Sequence, residues 1–187
     1  LEDWIDDATS MLQSGGGINK STSCSVHVIY IAITNFERLL HYVGHRKSDL
    51  FIQVVAHRIR DIAHTNDIVG RVEASEFIII SKRDLSKEDL ISYSNQISNV
   101  INDSFRNSDT EITVASSIGL ASFPEDARFS GELINRAEYA VSIGASNTAG
   151  LKNSIKTFRE ANEETHRFVI TNNSSDEKFK QLFLKAL

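Results

Sequence analysis

The sequence predicts an α/β (α+β) domain in which helices cover a central mixed sheet, and three observations point there. Apolar, β-branched runs of strand length lie at 25–33, 67–81 and 111–121, and helical spacing of apolar residues fills the intervals. The order strand-helix-helix-strand-strand-helix-strand-helix-strand interleaves the two kinds instead of segregating them. With 187 residues, of which 41% are hydrophobic, one core can be filled, so one principal domain with extensions is expected.

Taken in order, residues 2–13 place Trp4, Ile5, Ala8, Met11 and Leu12 on one helical face, and Ser14-Gly15-Gly16-Gly17 ends that helix in a joint. Residues 25–33 read as a central strand by β-branching and apolarity. Asn35 is placed to cap a short helix over 36–43. A longer helix follows over 48–63, with Leu50, Val54, Val55, Ile59 and Ile62 as its expected buried stripe. The run 67–81 reads as a hairpin. Ser86-Lys87-Glu88-Asp89 then opens a helix that reaches about 102, with Ile91, Ile97, Val100 and Ile101 inward. A strand over 111–121, a helix over 129–147 and a short edge strand near 154–158 complete the pattern.

Composition excludes several classes. A net charge of −5 without a basic stripe argues against a nucleic-acid surface. No apolar run approaches the roughly 20 residues of a membrane span, so no membrane insertion is expected. The lone cysteine, Cys24, forbids an internal disulfide and fits a reducing, cytoplasmic setting. It reads as a small buried hydrophobe more readily than as a reactive thiol. Among His27, His41, His45, His57 and His166 only His41 and His45 have a ligand-like spacing, and Gly44 between them breaks a shared helical face. Lacking Met and a leader at its start, the chain is expected to be a piece of something longer.

Four segments carry a family likeness. The hairpin tip reads Arg71-Val72-Glu73-Ala74-Ser75-Glu76-Phe77. Upstream stands Gly44-His45-Arg46-Lys47-Ser48-Asp49. Downstream come Ser117-Ile118-Gly119-Leu120-Ala121-Ser122-Phe123-Pro124-Glu125-Asp126 and Leu133-Ile134-Asn135-Arg136-Ala137-Glu138-Tyr139-Ala140. In order and spacing these resemble the landmarks of GGDEF domains, the diguanylate cyclase family, over residues 25–158. The resemblance implies a five-stranded palm with a ferredoxin-like core, as in nucleotide cyclases. It also implies a regulatory place in cyclic di-GMP signalling.

Position by position, the likeness is uneven. Of the signature Gly-Gly-Asp/Glu-Glu-Phe, only Glu76 and Phe77 match; Glu73, Ala74 and Ser75 do not. The family joins two nucleoside triphosphates with divalent metal, which needs carboxylates. Its first-strand acidic positions are here Ala32 and Thr34, and its third signature position is Ser75. Of the guanine-reading pair, Asp49 is retained while the Asn position is Leu40. A cap or first-turn acid is the competing reading of Asp49. The late phosphate-binding Lys aligns with Ala145 or Ser146. The inhibitory Arg-x-x-Asp is His64-Thr65-Asn66-Asp67, with Arg71 near it, and His lacks the bidentate fork of Arg. The competing reading has Asp67 start a strand and Arg71 pair with a surface acid.

These substitutions lead to the expectation of a chain that is not an enzyme, has no cofactor and no metal, and works through protein or interdomain contacts. The alternative is a nucleotide sensor that binds GTP or cyclic di-GMP weakly, through Asp49 and Glu76 or through His64, Asp67 and Arg71. Residues 1–24 are expected as an N-terminal helix and linker, and 25–158 as the domain. Residues 159–187 resemble the linker into a following EAL domain, with Phe179, Leu182, Phe183 and Leu187 wanting a partner surface; packing on the chain's own domain is the competing reading. The partner is therefore expected to be a neighbouring EAL-like domain or a signalling protein, with homodimerisation left open.

Overall fold

A computed structural model describes residues 25–103, 106–107, 110–111, 114–150 and 152–167. The helix and joint expected over 2–17, Cys24, and the apolar residues of 176–187 lie outside these.

Strand β1 (Val26–Ile33) is buried along its whole length and has antiparallel neighbours on both sides. Helix α1 (Phe36–Val43) leads through Gly44 into α2 (His45–Ile62). Then come β2 (Ile68–Glu73), β3 (Glu76–Ser81) and α3 (Lys87–Asp103). Two short strands, β4 (Arg106–Asn107) and β5 (Thr110–Glu111), pair only with each other. Strand β6 (Ser116–Phe123), helix α4 (Ser130–Asn147) and strand β7 (Ser154–Thr157) follow, and residues 158–167 form a further helix, α5. The five-stranded sheet has the order β2-β3-β1-β6-β7, with only β6 and β7 parallel, so it is mixed as expected.

Both faces of β1 are covered, which is why its sequence is an unbroken apolar run. Ile29, Ile31 and Ile33 pack with Phe51, Val55 and Ile59 of α2 and with Leu90, Ile97 and Ile101 of α3. Val28, Tyr30 and Ala32 face the other way, onto Leu133, Ala137 and Val141 of α4. Gly119 lets α4 lie this close, because a Cβ there would overlap the Ala137 carbonyl and crowd Val141.

Three local expectations are corrected. In α2 the inward residues are Ser48, Phe51, Ile52, Val55 and Ile59, while Leu50 is 56% and Val54 40% exposed. Apolar residues occupy a wide arc of this helix, and spacing alone does not fix which edge of the arc meets the sheet. Asn35 occupies the N-cap of α1 and its carbonyl accepts the Leu39 amide at 3.1 Å, but its side chain makes no capping bond; its Oδ1 accepts the Ala115 amide at 3.0 Å instead, spanning to the start of β6. The strand expected over 111–121 begins only at Ser116, because Thr110–Glu111 pairs locally with Arg106–Asn107.

Candidate functional site

The signature residues form the tip of the β2–β3 hairpin. Phe77 is buried in the core on the α2/α3 side, while Glu76, its neighbour on the strand, sits on the α4 side opposite Ala32. Pairing shifts between Arg71 and Glu73, so Glu73 faces Glu76 across the turn. The tip is held by four bonds. Ile33 N–H donates to the Ser75 carbonyl at 3.0 Å. The Arg71 guanidinium donates from Nε to the Glu73 carbonyl at 3.0 Å and from a terminal nitrogen to the Ala74 carbonyl at 2.6 Å. The Tyr30 hydroxyl donates to Glu76 Oε2 at 2.6 Å. Burial and the Glu76 carboxylate together push the Tyr30 phenol well above the ordinary tyrosine range.

The positions at which the family places acids are occupied otherwise. Ala32 is buried and apolar. Thr34 turns its hydroxyl to the carbonyls of Ala115 (3.1 Å) and Gly150 (3.0 Å), linking the ends of β1 and α4 to the entry of β6. Ser75 is half-buried and contributes its carbonyl to the tip. Among the described residues no three His, Cys, Asp or Glu side chains are grouped so as to hold a metal ion. The residues present therefore do not fit the metal ions the resemblance implies, and no reaction step through them follows.

Asp49 is exposed on α2 and lies beyond the first turn, which contains no acid, so the capping reading does not describe it. Leu40 is half-buried on α1. Ala145 and Ser146 end α4, where the Ser146 hydroxyl bonds the Ile143 carbonyl.

The three residues read as an inhibitory site are not brought to one pocket. Asp67 is sealed inside, with its side chain 0% exposed. Its Oδ2 accepts from Arg83 at 3.2 Å, from the Tyr93 hydroxyl at 3.0 Å and from the His64 amide at 3.3 Å. Arg83 also stacks over the Tyr93 ring at 4.6 Å and bonds Ser81 Oγ. Burial, with Asp67 beside it, pushes the Tyr93 phenol up to about 12. The His64 side chain is exposed, and Arg71 is committed to the hairpin tip instead of a surface acid. The sequence reading missed Tyr30, Arg83 and Tyr93. The available signal was a tyrosine inside a buried strand, whose hydroxyl must find a partner.

Comparison with known proteins follows the same outline. The model of the diguanylate cyclase GGDEF domain matches residues 10–147, well over half of the chain. The bifunctional diguanylate cyclase/cyclic di-GMP phosphodiesterase MucR of Pseudomonas aeruginosa is 25% identical over 114 residues, covering 61% of this chain and 16% of that protein. The cyclic di-GMP phosphodiesterase NbdA of the same organism is 23% identical over 114 residues, covering 61% of this chain and 14% of that protein. The chain thus spans a small fraction of the length of these relatives. Among solved structures, the GGDEF domain of YfiN (TpbB) from P. aeruginosa superposes with a TM-score of 0.67 at 20% identity, covering 89% of this chain and 91% of that one. The active GGEEF domain of a diguanylate cyclase from Vibrio cholerae gives 0.69 at 18%, covering 84% and 94%. Likenesses at such identity show the fold.

One functional expectation is overturned here. The chain was expected not to be an enzyme because Ala32, Thr34 and Ser75 replace acids. The matching family is one of diguanylate cyclases, and an active member is among its structural neighbours. Substitutions at single aligned positions do not remove a chain from an enzyme family. By its sheet, its signature hairpin and the family match, this chain belongs to the GGDEF domains of the diguanylate cyclase family.

Proposed function

We propose that this domain serves in cyclic di-GMP signalling as a regulatory module that acts by direct contact on a neighbouring domain of the same chain, of the EAL type, or on a signalling protein. The observation that carries the reading is the docking of α5, the helix through which the chain runs on toward residues 168–187. Lys87 reaches Glu160 at 3.0 Å, Lys156 reaches Glu164 at 2.7 Å, and Arg159 reaches Asp126 at 3.0 Å. Asn147 bonds Glu164 at 2.8 Å, and the Phe158 ring meets Tyr139 edge-on at 6.1 Å. A displacement of α3 or α4 is thereby passed to α5, the last described helix before residues 168–187. The small share of MucR and NbdA that the chain spans supports a neighbour in the same chain, and their names supply the cyclic di-GMP context. Among the described residues no helix is long and apolar enough to cross a membrane. We place the role in the cytoplasm.

In the full-length protein, Glu164→Lys and Arg159→Glu should change cyclic di-GMP turnover by the neighbouring domain about fivefold or more. Circular dichroism of the isolated domain should stay unchanged. Unaltered turnover would sink this reading. A second reading, a sensor of GTP or cyclic di-GMP, rests on Asp49, which stands free on the surface of α2, and on Glu76. Calorimetric titration with GTP plus Mg²⁺ and then with cyclic di-GMP separates the two. Micromolar binding abolished by Asp49→Ala favours the sensor, silence favours contact, and cyclic di-GMP formed from GTP would replace both. Sedimentation of the same sample shows whether a second copy is the contact.

A further inference from the structure

The signature hairpin ends past the last paired residues of β1 and β3, so its tip needs support beyond the strand ladder. Its charges oppose that. Glu73 and Glu76 face each other across the turn, and Glu138 of α4 is near enough to raise the Tyr30 phenol along with them. A cation is one way to hold such a carboxylate. The residues around Glu76 do not build a cation site. Ala32 lies directly opposite, and the Thr34 hydroxyl is spent on two carbonyls.

The chain supplies another way. Tyr30 lies two residues before Ala32 on the same face of β1, with its ring in the core and only 3% of the residue exposed. The small side chain at position 32 lets the phenol reach along the strand to Glu76 Oε2, 2.6 Å away. A hydroxyl donating to a carboxylate satisfies one lone pair and adds no charge to the face that packs on α4. We propose that Tyr30 is the positioning residue for the signature carboxylate, holding Glu76 and the hairpin tip in the place of a bound cation. The order of the tip then depends on Tyr30 and is indifferent to divalent metal.

Two neighbouring amides make this measurable. Ile33 N–H donates to the Ser75 carbonyl and reports on the tip. Thr34 N–H donates to the Ala115 carbonyl and reports on the β6 entry. Amide hydrogen exchange, followed residue by residue by NMR, gives their ratio. Tyr30→Phe keeps the ring and removes only the donor, and it should speed exchange at Ile33 about tenfold relative to Thr34. In the unaltered domain the ratio should be the same in EDTA and in excess Mg²⁺. Glu76→Ala, which removes the acceptor from the half-buried end of the same bond, should reproduce the change and covers the case in which Tyr30→Phe fails to fold. A ratio unmoved by either substitution overturns the proposal, as does slowing of Ile33 by Mg²⁺ in the unaltered domain.

Discussion

Replacing Asp67 by Ala removes the oxygen that Arg83, Tyr93 and the His64 amide share, and it leaves a guanidinium and a phenol without their acceptor. Breaking a buried pair from one side costs roughly 3–5 kcal/mol. Arg83 keeps 29% of its side chain in water, so the lower end applies, about 3 kcal/mol. Asp67→Asn retains an acceptor oxygen and should lose only about 1–2 kcal/mol. Urea unfolding with an unchanged slope measures both. Equal stability of Asp67→Ala and the parent would mean the network does not form. The same residue shows why the candidate site was only partly legible. An Asp immediately before a strand reads identically whether it grips a ligand or a distant arginine. Arg83 is sixteen positions downstream, and only the fold brings it to Asp67. Glu76, by contrast, was identified from the signature alone, while its partner Tyr30 was hidden inside an apolar run.

At the scale of elements, two glycines separate backbone demand from packing demand. Gly44 joins α1 to α2 at φ 81 and ψ 162, with nothing within 4 Å of where a Cβ would lie. Gly44→Ala therefore pays only for conformation, about 1–3 kcal/mol. At Gly119 the backbone is ordinary for a strand, and the obstacle is the α4 backbone itself. Gly119→Ala must push α4 off the sheet, and a loss of more than about 4 kcal/mol or failure to fold is expected. Chemical denaturation of the two variants checks the contrast, and a mild Gly119→Ala would mean that α4 does not sit on β6 as described. The positions of β1, α1, α3 and α4 were readable because strand and helix periods differ clearly there, and Gly44 marks the break between α1 and α2 in both sequence and structure. The rotation of α2 was not readable, since Leu50 and Val54 are as apolar as the residues that are buried. The late start of β6 escaped for a related reason: residues 110–111 carry a strand signal that is satisfied locally by 106–107.

For the molecule as a whole, acid should remove stability in two separate steps. His27 is 4% exposed on β1, with one ring nitrogen bonded to Ser122 Oγ at 2.8 Å and Nε2 buried without a partner. Burial lowers its pKa beneath 6.5; Glu125, the Arg83 backbone and Asp84 oppose this, and the Arg83 charge adds to it. As pH falls below 6.5 the unfolded chain takes up a proton that the folded one refuses, so stability drops until the folded-state pKa is passed. The second step belongs to α5. Burial raises the Glu160 carboxyl, but bonds from Thr157 and the Lys87 ammonium outweigh it, and Lys156 and Asn147 lower Glu164. Stability from these two groups is complete above 4.5 and is lost as pH falls through their lower folded-state values. The steps should separate in space as well as in pH. His27→Gln should flatten the dependence just below 6.5 and leave the more acidic step in place, because β1 lies at the centre of the sheet while α5 lies outside it. Salt should weaken only the acidic step, whose ion pairs are partly exposed. Urea midpoints measured from pH 8 to pH 3, with and without salt, test this. A single acid transition that His27→Gln shifts as a whole would mean that the core and α5 titrate as one unit.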